Sequence, residues 1–410
     1  MTLPAVLNDK KTVTTVKERI AGQVRLVQGR DARLRTGYLW VFAGEIAQLT
    51  GDPRPGALVD VLSATGDLVG RGFFNSHSKI RVRLLTLDDR PIDEAFWAER
   101  IAAALALRAR VVADTNAYRL VHGEGDLLPG LIVDRYGDVL VMQTLAAGME
   151  VRKDLLADLL LAQTRASAVY LRNDVSTRNL EGLPMARGFL RGDGPTLLEI
   201  YEGKARFRVN VEQGQKTGWF CDQRENRIAV AALAGGAEVL EPFCHTGAFG
   251  IHAALQGAQS VLGMDASPDA VKAAEDHASL NEVGEQCRYR EGDAFEELRR
   301  LERRGASFDV IILDPPAFAK SRRTVTQALS GYKEINRRAF RLLRKDGVLA
   351  TCSCSHHVQE AVLRKTVLEA AREARRRVQF LESRSQAADH PTLDAMPETQ
   401  YLKCFLLRVC

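Results

Sequence analysis

Hydrophobic and polar positions in the first quarter of the chain predict a small β domain. Between residues 22 and 87, short apolar runs such as Ala57–Leu62 are broken by glycines and prolines, which is typical of strands in a barrel or sandwich. The charged, alanine-rich run Phe96–Val112 then predicts an amphipathic helix, and Asp93 supplies the negative charge favoured at its start. We therefore place the boundary between this domain and the next module near residue 91.

The next hundred residues follow a mixed pattern. Gly130–Asp134 and Val139–Gln143 are β-rich runs that flank the turn-like segment Arg135–Asp138, and this arrangement predicts a hairpin. The pattern of Glu150–Thr164 predicts a helix, and that of Ala168–Arg172 predicts a strand. We therefore expect a second, mixed α/β module.

Strands alternate with helices from about Ala237 onward. The predicted strands are Ala237–Leu240, Ser260–Met264, Val310–Leu313 and Val348–Cys352, and the helices between them end near Gln256, Leu280 and Leu343. Such alternation predicts a doubly wound, mostly parallel sheet. The fold class is thus α/β, with a Rossmann-like C-terminal domain preceded by a small β domain and a mixed α/β module.

The length of 410 residues exceeds the size at which single hydrophobic cores stop growing. We divide the chain into an N-terminal extension (1–21), the small β domain (22–90), the mixed module (91–190) and the Rossmann-like domain (191–410).

No window approaches about 18 consecutive apolar residues, and the charged opening stretch lacks the apolar core of a signal peptide. We therefore expect a soluble, cytoplasmic protein that does not associate with membranes.

Charge and cysteine content narrow the classes of partner and site. A net charge of +5 permits nucleic-acid binding without arguing for it. A basic strip near the start of the small β domain is more specific, although a solvated charged face is its alternative interpretation. The strip residues that we predict to contact phosphates are Arg25, Arg30, Arg33 and Arg35.

The seven cysteines are odd in number and contain no CxxC pair, so we expect no disulfide framework and no metal site.

Residues that follow the predicted parallel strands are candidates for a ligand site, because ligands bind at the carboxyl ends of such strands. After the first strand, Glu241–Gly250 contains Gly247, which can bring the backbone close to a ligand at a helix N-terminus. Asp265 ends the second strand, where a carboxylate can bind ribose hydroxyls. Asp293, in the segment Glu291–Phe295, is the third such position and is placed to accept a hydrogen bond from an adenine amino group. The dinucleotide fingerprint GxGxxG is absent.

The fourth position is the segment Asp314-Pro-Pro-Ala-Phe318, which follows the predicted strand Val310–Leu313. An acid, a proline-stiffened turn and an aromatic ring form a platform for a flat substrate, so we expect Asp314, Pro315, Pro316 and Phe318 to hold one. Each piece also has a purely structural interpretation, since glycines form turns, acids cap helices and prolines end strands. Four such pieces in this order favour a cofactor and substrate site.

These motifs resemble the RlmI-like family of 23S ribosomal RNA (cytosine-C5)-methyltransferases, and the resemblance covers nearly the whole chain. Its most specific element is Gly214–Arg227, GQKTGWFCDQRENR. Further matching segments are Tyr118–Gly125, Leu128–Leu131, Asp314–Phe318, Ser353–Ser355, Asp389–Pro391 and Tyr401–Lys403. The resemblance implies S-adenosylmethionine as cofactor, a PUA domain over roughly residues 22–90 and a class I methyltransferase domain. It also implies large-subunit ribosomal RNA, free or in an assembly intermediate, as partner; whether the chain forms a homodimer stays open.

The cofactor would be held by residues from the strand-end pattern and the matching motifs. They are Lys216, Glu241, Phe243, Gly247, Asp265, Asp293 and Asp314. Thr217 and Asp222 look like further contacts to the cofactor or the substrate loop. Two departures affect the methionine end: Glu241 replaces a frequent Asp, and Gly-Ala-Phe-Gly250 replaces Gly-Gly-Phe-Ser.

Methylation of cytosine carbon 5 requires a nucleophile that first adds at carbon 6, and a thiolate suits this step because it is also a good leaving group. Cys354 aligns with the family's nucleophile, and Asp314 would hold N3 and the exocyclic amine of the base. Cys352 lies two residues earlier, so on an extended strand both thiols share a face. The other five cysteines fit small buried apolar residues. His356 and His357 are weak proton-shuttle candidates, and no base for the carbon 5 proton is identified.

Three other functions compete with this interpretation. A methyltransferase acting on a guanine or adenine nitrogen needs no cysteine, although Ala317 separates Pro316 from the aromatic residue that such enzymes place next to the prolines. An inactive RNA-binding ribosome-assembly protein would have lost Asp314 or Cys354, and both are present. A nicotinamide-dependent enzyme lacks its fingerprint. The sequence does not identify the nucleotide that is methylated.

Overall fold

The computed structural model describes residues 18–319 and 321–410. Residues 1–17 of the predicted N-terminal extension, 1–21, therefore lie outside the described residues. Within the described part, three sheets and one separate hairpin follow each other along the chain. No helix of that part is both long and apolar enough to cross a membrane.

The first sheet contains six strands in the order β2-β6-β5-β4-β1-β3. Its elements are β1 (Gly22–Leu26), α1 (Ala32–Arg35), β2 (Trp40–Phe42), β3 (Ile46–Gly51), β4 (Leu58–Leu62), β5 (Leu68–Phe74) and β6 (Ile80–Thr86). Apolar side chains such as Val24, Val61 and Val82 point to one core and are fully buried. The alternation seen in the sequence thus forms the predicted small β domain.

The second sheet has the order β11-β10-β9-β8-β7 and carries helices on one side. Its elements are α2 (Glu94–Val111), β7 (Ala117–His122), β8 (Leu131–Tyr136), β9 (Val139–Thr144), α3 (Ala147–Glu150), α4 (Lys153–Thr164), β10 (Ala168–Arg172) and β11 (Arg187–Arg191). The Asp93 carboxylate caps α2 by accepting the Phe96 N–H at 3.0 Å. The predicted hairpin is present, with only Gly137 and Asp138 between β8 and β9.

One helix boundary differs from the prediction. The predicted helix Glu150–Thr164 is split into α3 and α4, because Val151 and Arg152 leave the helix. The Arg152 guanidinium instead donates to the carbonyl oxygens of Gly56 and Gly148 at 2.9 and 2.7 Å. This contact joins the second sheet to the first.

The C-terminal sheet has seven strands in the order β16-β15-β14-β17-β18-β20-β19. The elements after β11 are β12 (Leu197–Glu202), β13 (Ala205–Asn210), α5 (Arg224–Ala231), β14 (Glu238–Glu241), α6 (Ala248–Leu255), β15 (Ser260–Asp265), α7 (Pro268–Leu280), β16 (Cys287–Glu291), α8 (Ala294–Arg303), β17 (Phe308–Leu313), α9 (Val325–Leu342), β18 (Leu343–Ser353), α10 (Glu360–Glu373), β19 (Val378–Arg384) and β20 (Lys403–Val409). Strands β14 to β18 pair in parallel, whereas β20 is antiparallel to both of its neighbours. Helices cover both faces, so the central strands are continuously apolar.

A buried carboxylate fastens the β12–β13 hairpin to this domain. Glu202, which is fully buried, accepts hydrogen bonds from Trp219 Nε1 at 2.7 Å and from Arg227 Nε and Nη2 at 2.9 and 2.6 Å. His252 Nε2 on α6 lies 3.2 Å from the same carboxylate. Burial alone would raise the pKa of Glu202, but Arg227 and His252 lower that pKa to about 2.

Replacing Glu202 with Gln should reduce the free energy of unfolding by about 3–5 kcal/mol, because it leaves the Arg227 charge buried without its partner. Urea unfolding at neutral pH measures this change. The control Glu199→Gln breaks an exposed pair with Arg206 on the same hairpin and should cost less than about 1 kcal/mol. Equal losses in the two variants would contradict the assignment.

Glu202 also gives stability a pH dependence. Its pKa is about 2 in the folded chain against an ordinary 4.5, so its stabilisation is complete above pH 4.5 and is lost as the pH falls toward 2. Glu202→Gln should therefore show a shallower loss of stability over this range than the unaltered chain.

Candidate active site

A cavity of about 540 Å³ opens at the carboxyl ends of the parallel strands β14, β15 and β17. Its volume is typical of a site for a small molecule. Eleven of the residues predicted from the sequence line it: Lys216, Asp222, Glu241, Phe243, Asp265, Asp293, Asp314, Pro315, Pro316, Phe318 and Cys354. The strand-end pattern therefore brings residues from distant parts of the chain to one cavity.

The loop after β14 is shaped by a glycine and a buried acid. Gly247 has a φ of +78°, and a Cβ atom there would lie 2.7 Å from the Tyr289 hydroxyl, so only glycine fits without displacing that ring. Gly247 supports the loop without lining the cavity. Glu241 accepts the N–H of Gly250 at 3.0 Å, and burial raises the pKa of Glu241 well above its ordinary value. Glu241 thus ties the loop to α6.

Two further acids combine a structural contact with a position on the cavity. Asp265 accepts the N–H groups of His245 at 2.9 Å and Ser267 at 3.0 Å, one on each carboxylate oxygen. Asp293 caps α8 by accepting the Glu296 N–H at 3.0 Å. Each carboxylate oxygen keeps a further lone pair. The helix-cap interpretation of Asp293 is therefore correct, and it does not remove that acid from the cavity.

Cys354 also lines the cavity, and the next residue, Ser355, accepts the Ala319 N–H at 3.4 Å at the end of the turn after β17. The serines on either side of Cys354 are pinned by one tyrosine: Ser353 Oγ and Ser355 Oγ lie 2.8 and 3.0 Å from the Tyr332 hydroxyl. Phe318 packs on the Tyr332 ring with a centroid distance of 4.8 Å. Tyr332, on α9, therefore positions both the thiol segment and the aromatic part of the platform.

The structure corrects the expectation that Cys352 and Cys354 share a face. β18 ends at Ser353, so the strand alternation does not extend to Cys354. Cys352 is fully buried opposite Cys404 of β20, whereas Cys354 is half-buried and lines the cavity. Geometry therefore distinguishes the two thiols, which the sequence pattern did not.

The surroundings of Asp314 and Cys354 raise the pKa of both groups and so disfavour their ionised forms. Desolvation raises the pKa of Asp314 to about 6, and the nearby Asp222 charge adds to this effect. Burial and then Asp314 raise the pKa of Cys354, while the Lys216 ammonium lowers it. The thiol needs a positive neighbour or a protonated Asp314 to become a thiolate.

The loop before α5 contributes cavity residues to which the sequence gave less weight. Lys216 Nζ donates to Asp222 Oδ2 at 2.7 Å, and the Tyr401 hydroxyl donates to the same oxygen at 2.7 Å. Gln223 also lines the cavity. Thr217 does not, because its hydroxyl is fully buried against Asp134. The matching motif around Asp222 was the available signal, but its contact with Tyr401 spans 179 residues.

Unsatisfied polar atoms show where a ligand can bind. Asp222 Oδ1, Gln223 Nε2 and Thr246 Oγ1 are buried and have no hydrogen-bond partner among the described residues. All three residues line the cavity. Buried polar atoms without partners are costly, so a polar ligand that supplies both donors and acceptors fits this set.

The remaining predicted residues lie away from the cavity. Arg33 pairs with Glu45 at 2.5 Å and packs over the Tyr38 ring, so its guanidinium is already engaged. Arg35 is exposed and pairs with Asp31 at 2.8 Å. Arg25 donates to a loop carbonyl at 3.3 Å, and Arg30 is exposed. His356 stacks on the Tyr401 ring at a second, smaller cavity, and His357 is exposed.

Comparisons with known proteins agree with this division of the chain. A family described as S-adenosylmethionine-dependent methyltransferases matches residues 143–408, and a family described as PUA-like domains matches residues 24–87. The chain is 40% identical over 396 residues to the ribosomal RNA large subunit methyltransferase I of Shewanella denitrificans, covering 95% of this chain and all of that protein. The protein of the same name from Alteromonas mediterranea is 38% identical over 394 residues, covering 95% and 99%.

A solved structure has the same overall fold. The crystal structure of SMU.776, a proposed methyltransferase complexed with SAH, aligns with a TM-score of 0.82 at 20% identity, covering 95% of this chain and all of that one. The predicted fold, a PUA-like domain before a methyltransferase domain, is confirmed.

Alkylation by iodoacetamide should reveal the charge environment of Cys354. The exposed Cys410 should react fast, Cys354 slowly and the buried Cys352 hardly at all at pH 7.5. Asp314→Asn should speed the reaction of Cys354 severalfold, because it removes a negative charge that raises the thiol pKa; Lys216→Met should slow it. Peptide mass spectrometry measures each site. Faster reaction in Lys216→Met would contradict the electrostatic account.

Proposed function

Since the chain belongs to the S-adenosylmethionine-dependent methyltransferases, within the ribosomal RNA large subunit methyltransferase I family, we propose that it methylates carbon 5 of a cytosine in large-subunit ribosomal RNA. The proposed route is a covalent adduct of Cys354 at carbon 6 of the base. The observation that carries this proposal is the presence of the Cys354 thiol and the Asp314 carboxyl on one cavity with the cofactor-type acids.

The residues of the cavity fit S-adenosylmethionine, which supplies an electrophilic methyl group when bound. Asp265 would bind the ribose hydroxyls, and Asp293 would accept from the adenine amine. The Glu241–Gly250 loop would enclose the methionine end, where the unpartnered Thr246 hydroxyl offers a donor. Lys216 and Phe243 line the same space, and a charged, zwitterionic ligand matches this mixture of donors and acceptors.

The proposed chemistry begins with the thiol. Cytosine carbon 5 is a poor nucleophile, and addition of the Cys354 thiolate at carbon 6 makes it enamine-like. Electrons displaced by this addition collect at N3 of the base. Asp314 would donate a hydrogen bond there, and a pKa of about 6 suits a carboxyl that must carry a proton for part of the cycle. Protonated Asp314 also no longer repels the thiolate.

The platform residues hold the base for this reaction. Pro315 and Pro316 stiffen the turn after β17, and Phe318 is fixed by its contacts with Phe295 and Tyr332. A flat base presented to this turn would meet Asp314 at its edge. Such contacts would hold the two reacting atoms in place for the transfer.

The partners follow from the proposed substrate. We propose that the PUA-like domain contacts the RNA and that the division at residues 22–90, 91–190 and 191–410 separates RNA-holding modules from the catalytic one. The target would be 23S ribosomal RNA or an assembly intermediate, encountered in the cytoplasm. All residues assigned to the proposed reaction belong to one chain, so the reaction as proposed does not require a homodimer.

Cys354→Ser should abolish methylation while cofactor binding persists, because a hydroxyl ionises far less readily than a thiol. Cys352→Ser is the matched control and should keep most of the activity. RNA containing 5-fluorocytosine should trap the unaltered enzyme as an adduct at Cys354, since fluorine blocks loss of the carbon 5 substituent. Normal methylation by Cys354→Ser would refute the adduct and favour methylation of a guanine or adenine nitrogen.

The basic strip predicts a salt dependence of RNA binding. Arg30→Gln and Arg35→Gln, at exposed positions, should each lower the slope of log affinity against log salt by roughly one unit or less if they contact phosphates. Arg372→Gln, at an exposed position on α10, is the control and should leave the slope unchanged. Fluorescence anisotropy with ribosomal RNA fragments measures both. Unchanged slopes in both strip variants would exclude them from the interface.

A further inference from the structure

The proposed reaction leaves one step without a residue. After the methyl group is added, carbon 5 carries both the methyl group and a proton, and the cysteine is still bonded to carbon 6. A base must take that proton before the cysteine can leave. Asp314 is assigned to the base edge, and Cys354 is the group that departs, so another side chain of the cavity must act.

Asp222 has the geometry that this step requires. It lies in the short 3-10 turn Cys221–Gln223 and is only 3% exposed. Its Oδ2 atom is held by Lys216 Nζ and the Tyr401 hydroxyl, both at 2.7 Å. Its Oδ1 atom is buried and has no partner among the described residues, on a side chain that lines the cavity. One oxygen is therefore fixed and the other is available to a ligand.

Tyr401 connects Asp222 to the thiol segment, because it donates to Asp222 and its ring stacks on His356, two residues after Cys354. The negative charge of Asp222 also raises the pKa of both Cys354 and Asp314. Desolvation raises the pKa of Asp222, but the Lys216 and His390 charges and the hydrogen bonds from Lys216 and Tyr401 together hold it well below its ordinary value, so the carboxylate stays ionised. An ionised carboxylate can accept a proton.

The other acids and the histidine of the cavity fit this role less well. Asp265 and Asp293 hold backbone N–H groups on the side assigned to the cofactor. Glu241 accepts from Gly250 beneath the glycine loop. His245 lies on that loop, and its backbone N–H binds Asp265. These residues are therefore engaged in the loops assigned to the cofactor.

We propose that Asp222 is the base that removes the proton from carbon 5 of the methylated cytosine adduct. Asp222 Oδ1 takes the proton, the electrons of the carbon–hydrogen bond form the carbon 5–carbon 6 double bond, and the carbon 6–sulfur bond breaks. The electrons of that bond return to Cys354 as a thiolate, and the proton held by Asp222 passes to water. The Lys216 side chain, which donates to Asp222 Oδ2, is 41% exposed, so solvent lies next to this pair. This assignment rests on the proposed cytosine-C5 function.

Asp222→Asn tests the proposal because it keeps the shape and the Tyr401 contact but removes the base. With RNA carrying tritium at carbon 5 of cytosine, the unaltered enzyme should transfer methyl and release tritium in equal amounts. The variant should transfer methyl once per enzyme and then hold the RNA as an adduct that survives denaturing electrophoresis. General-base catalysis is worth about 10²–10⁴-fold, so tritium release should slow by about 10²-fold or more.

Controls separate this role from a structural one. Asp276→Asn, an exposed acid on α7, should behave as the unaltered enzyme. Cofactor affinity of Asp222→Asn, measured by calorimetry, should stay within severalfold of normal.

Two results with Asp222→Asn overturn the proposal. One is normal cofactor binding together with tritium release at the normal rate. The other is failure to form an adduct because the variant has lost the cofactor. If Asp222→Asn does not fold, Tyr401→Phe decides: slower tritium release with retained methyl transfer supports the proposal, and matched slowing of both overturns it.

Failure of the proposed function would look different. If the unaltered enzyme neither releases tritium nor forms an adduct with 5-fluorocytosine RNA, the carbon 5 reaction itself is wrong. If it does both, and only Asp222→Asn departs from expectation, the fault lies with the assignment of the base.

Discussion

The parallel pairing of β14 with β17 is the feature on which the rest of the site depends. Strand order reverses there: β15 and β16 extend the sheet on one side of β14, and β18 extends it beyond β17. Loops leaving adjacent strands toward opposite sides open a crevice at such a reversal. The glycine loop after β14 and the Asp314 turn after β17 form the two walls of that crevice. The acids at the ends of β14, β15 and β17 and the Cys354 thiol therefore line one cavity.

A buried polar network joins the other modules to this crevice. Asp389 Oδ2 accepts the backbone N–H of Arg119 from the second sheet and Arg224 Nη1 from α5, each at 2.9 Å. The Asp389 carbonyl accepts from Arg108 on α2 at 2.7 Å. Arg224 and His390 hold the pKa of Asp389 well below its ordinary value, although burial would raise it. The network fixes the segment that leads to Tyr401, and thereby links the N-terminal modules to the residue that orients Asp222.

The sequence pattern alone identified those site residues that lie at the ends of apolar parallel strands. Asp265 and Asp314 were found because each stands at the end of an apolar run, and parallel strands bring such positions together; the strand before Asp293, CRYRE, is largely polar and was not predicted. The same pattern could not distinguish Cys352 from Cys354, because the end of β18 is set by pairing with β20. Strands β19 and β20 were not predicted, and β20 supplies Lys403, whose Nζ donates to the Ser355 carbonyl at 2.9 Å. Asp222 and Tyr401 illustrate the same limit, since no local signal joins residues so distant in sequence.

The central claim is that Cys354 and Asp314 direct methyl transfer to carbon 5 of one cytosine in large-subunit ribosomal RNA. The most direct measurement is a bisulfite map of 5-methylcytosine in that RNA from cells with the gene, without it, and with Cys354→Ser in its place. The account predicts that one 5-methylcytosine present with the unaltered gene is absent from the other two strains. An unchanged 5-methylcytosine map, or loss of a methyl group from a guanine or adenine nitrogen instead, would contradict it.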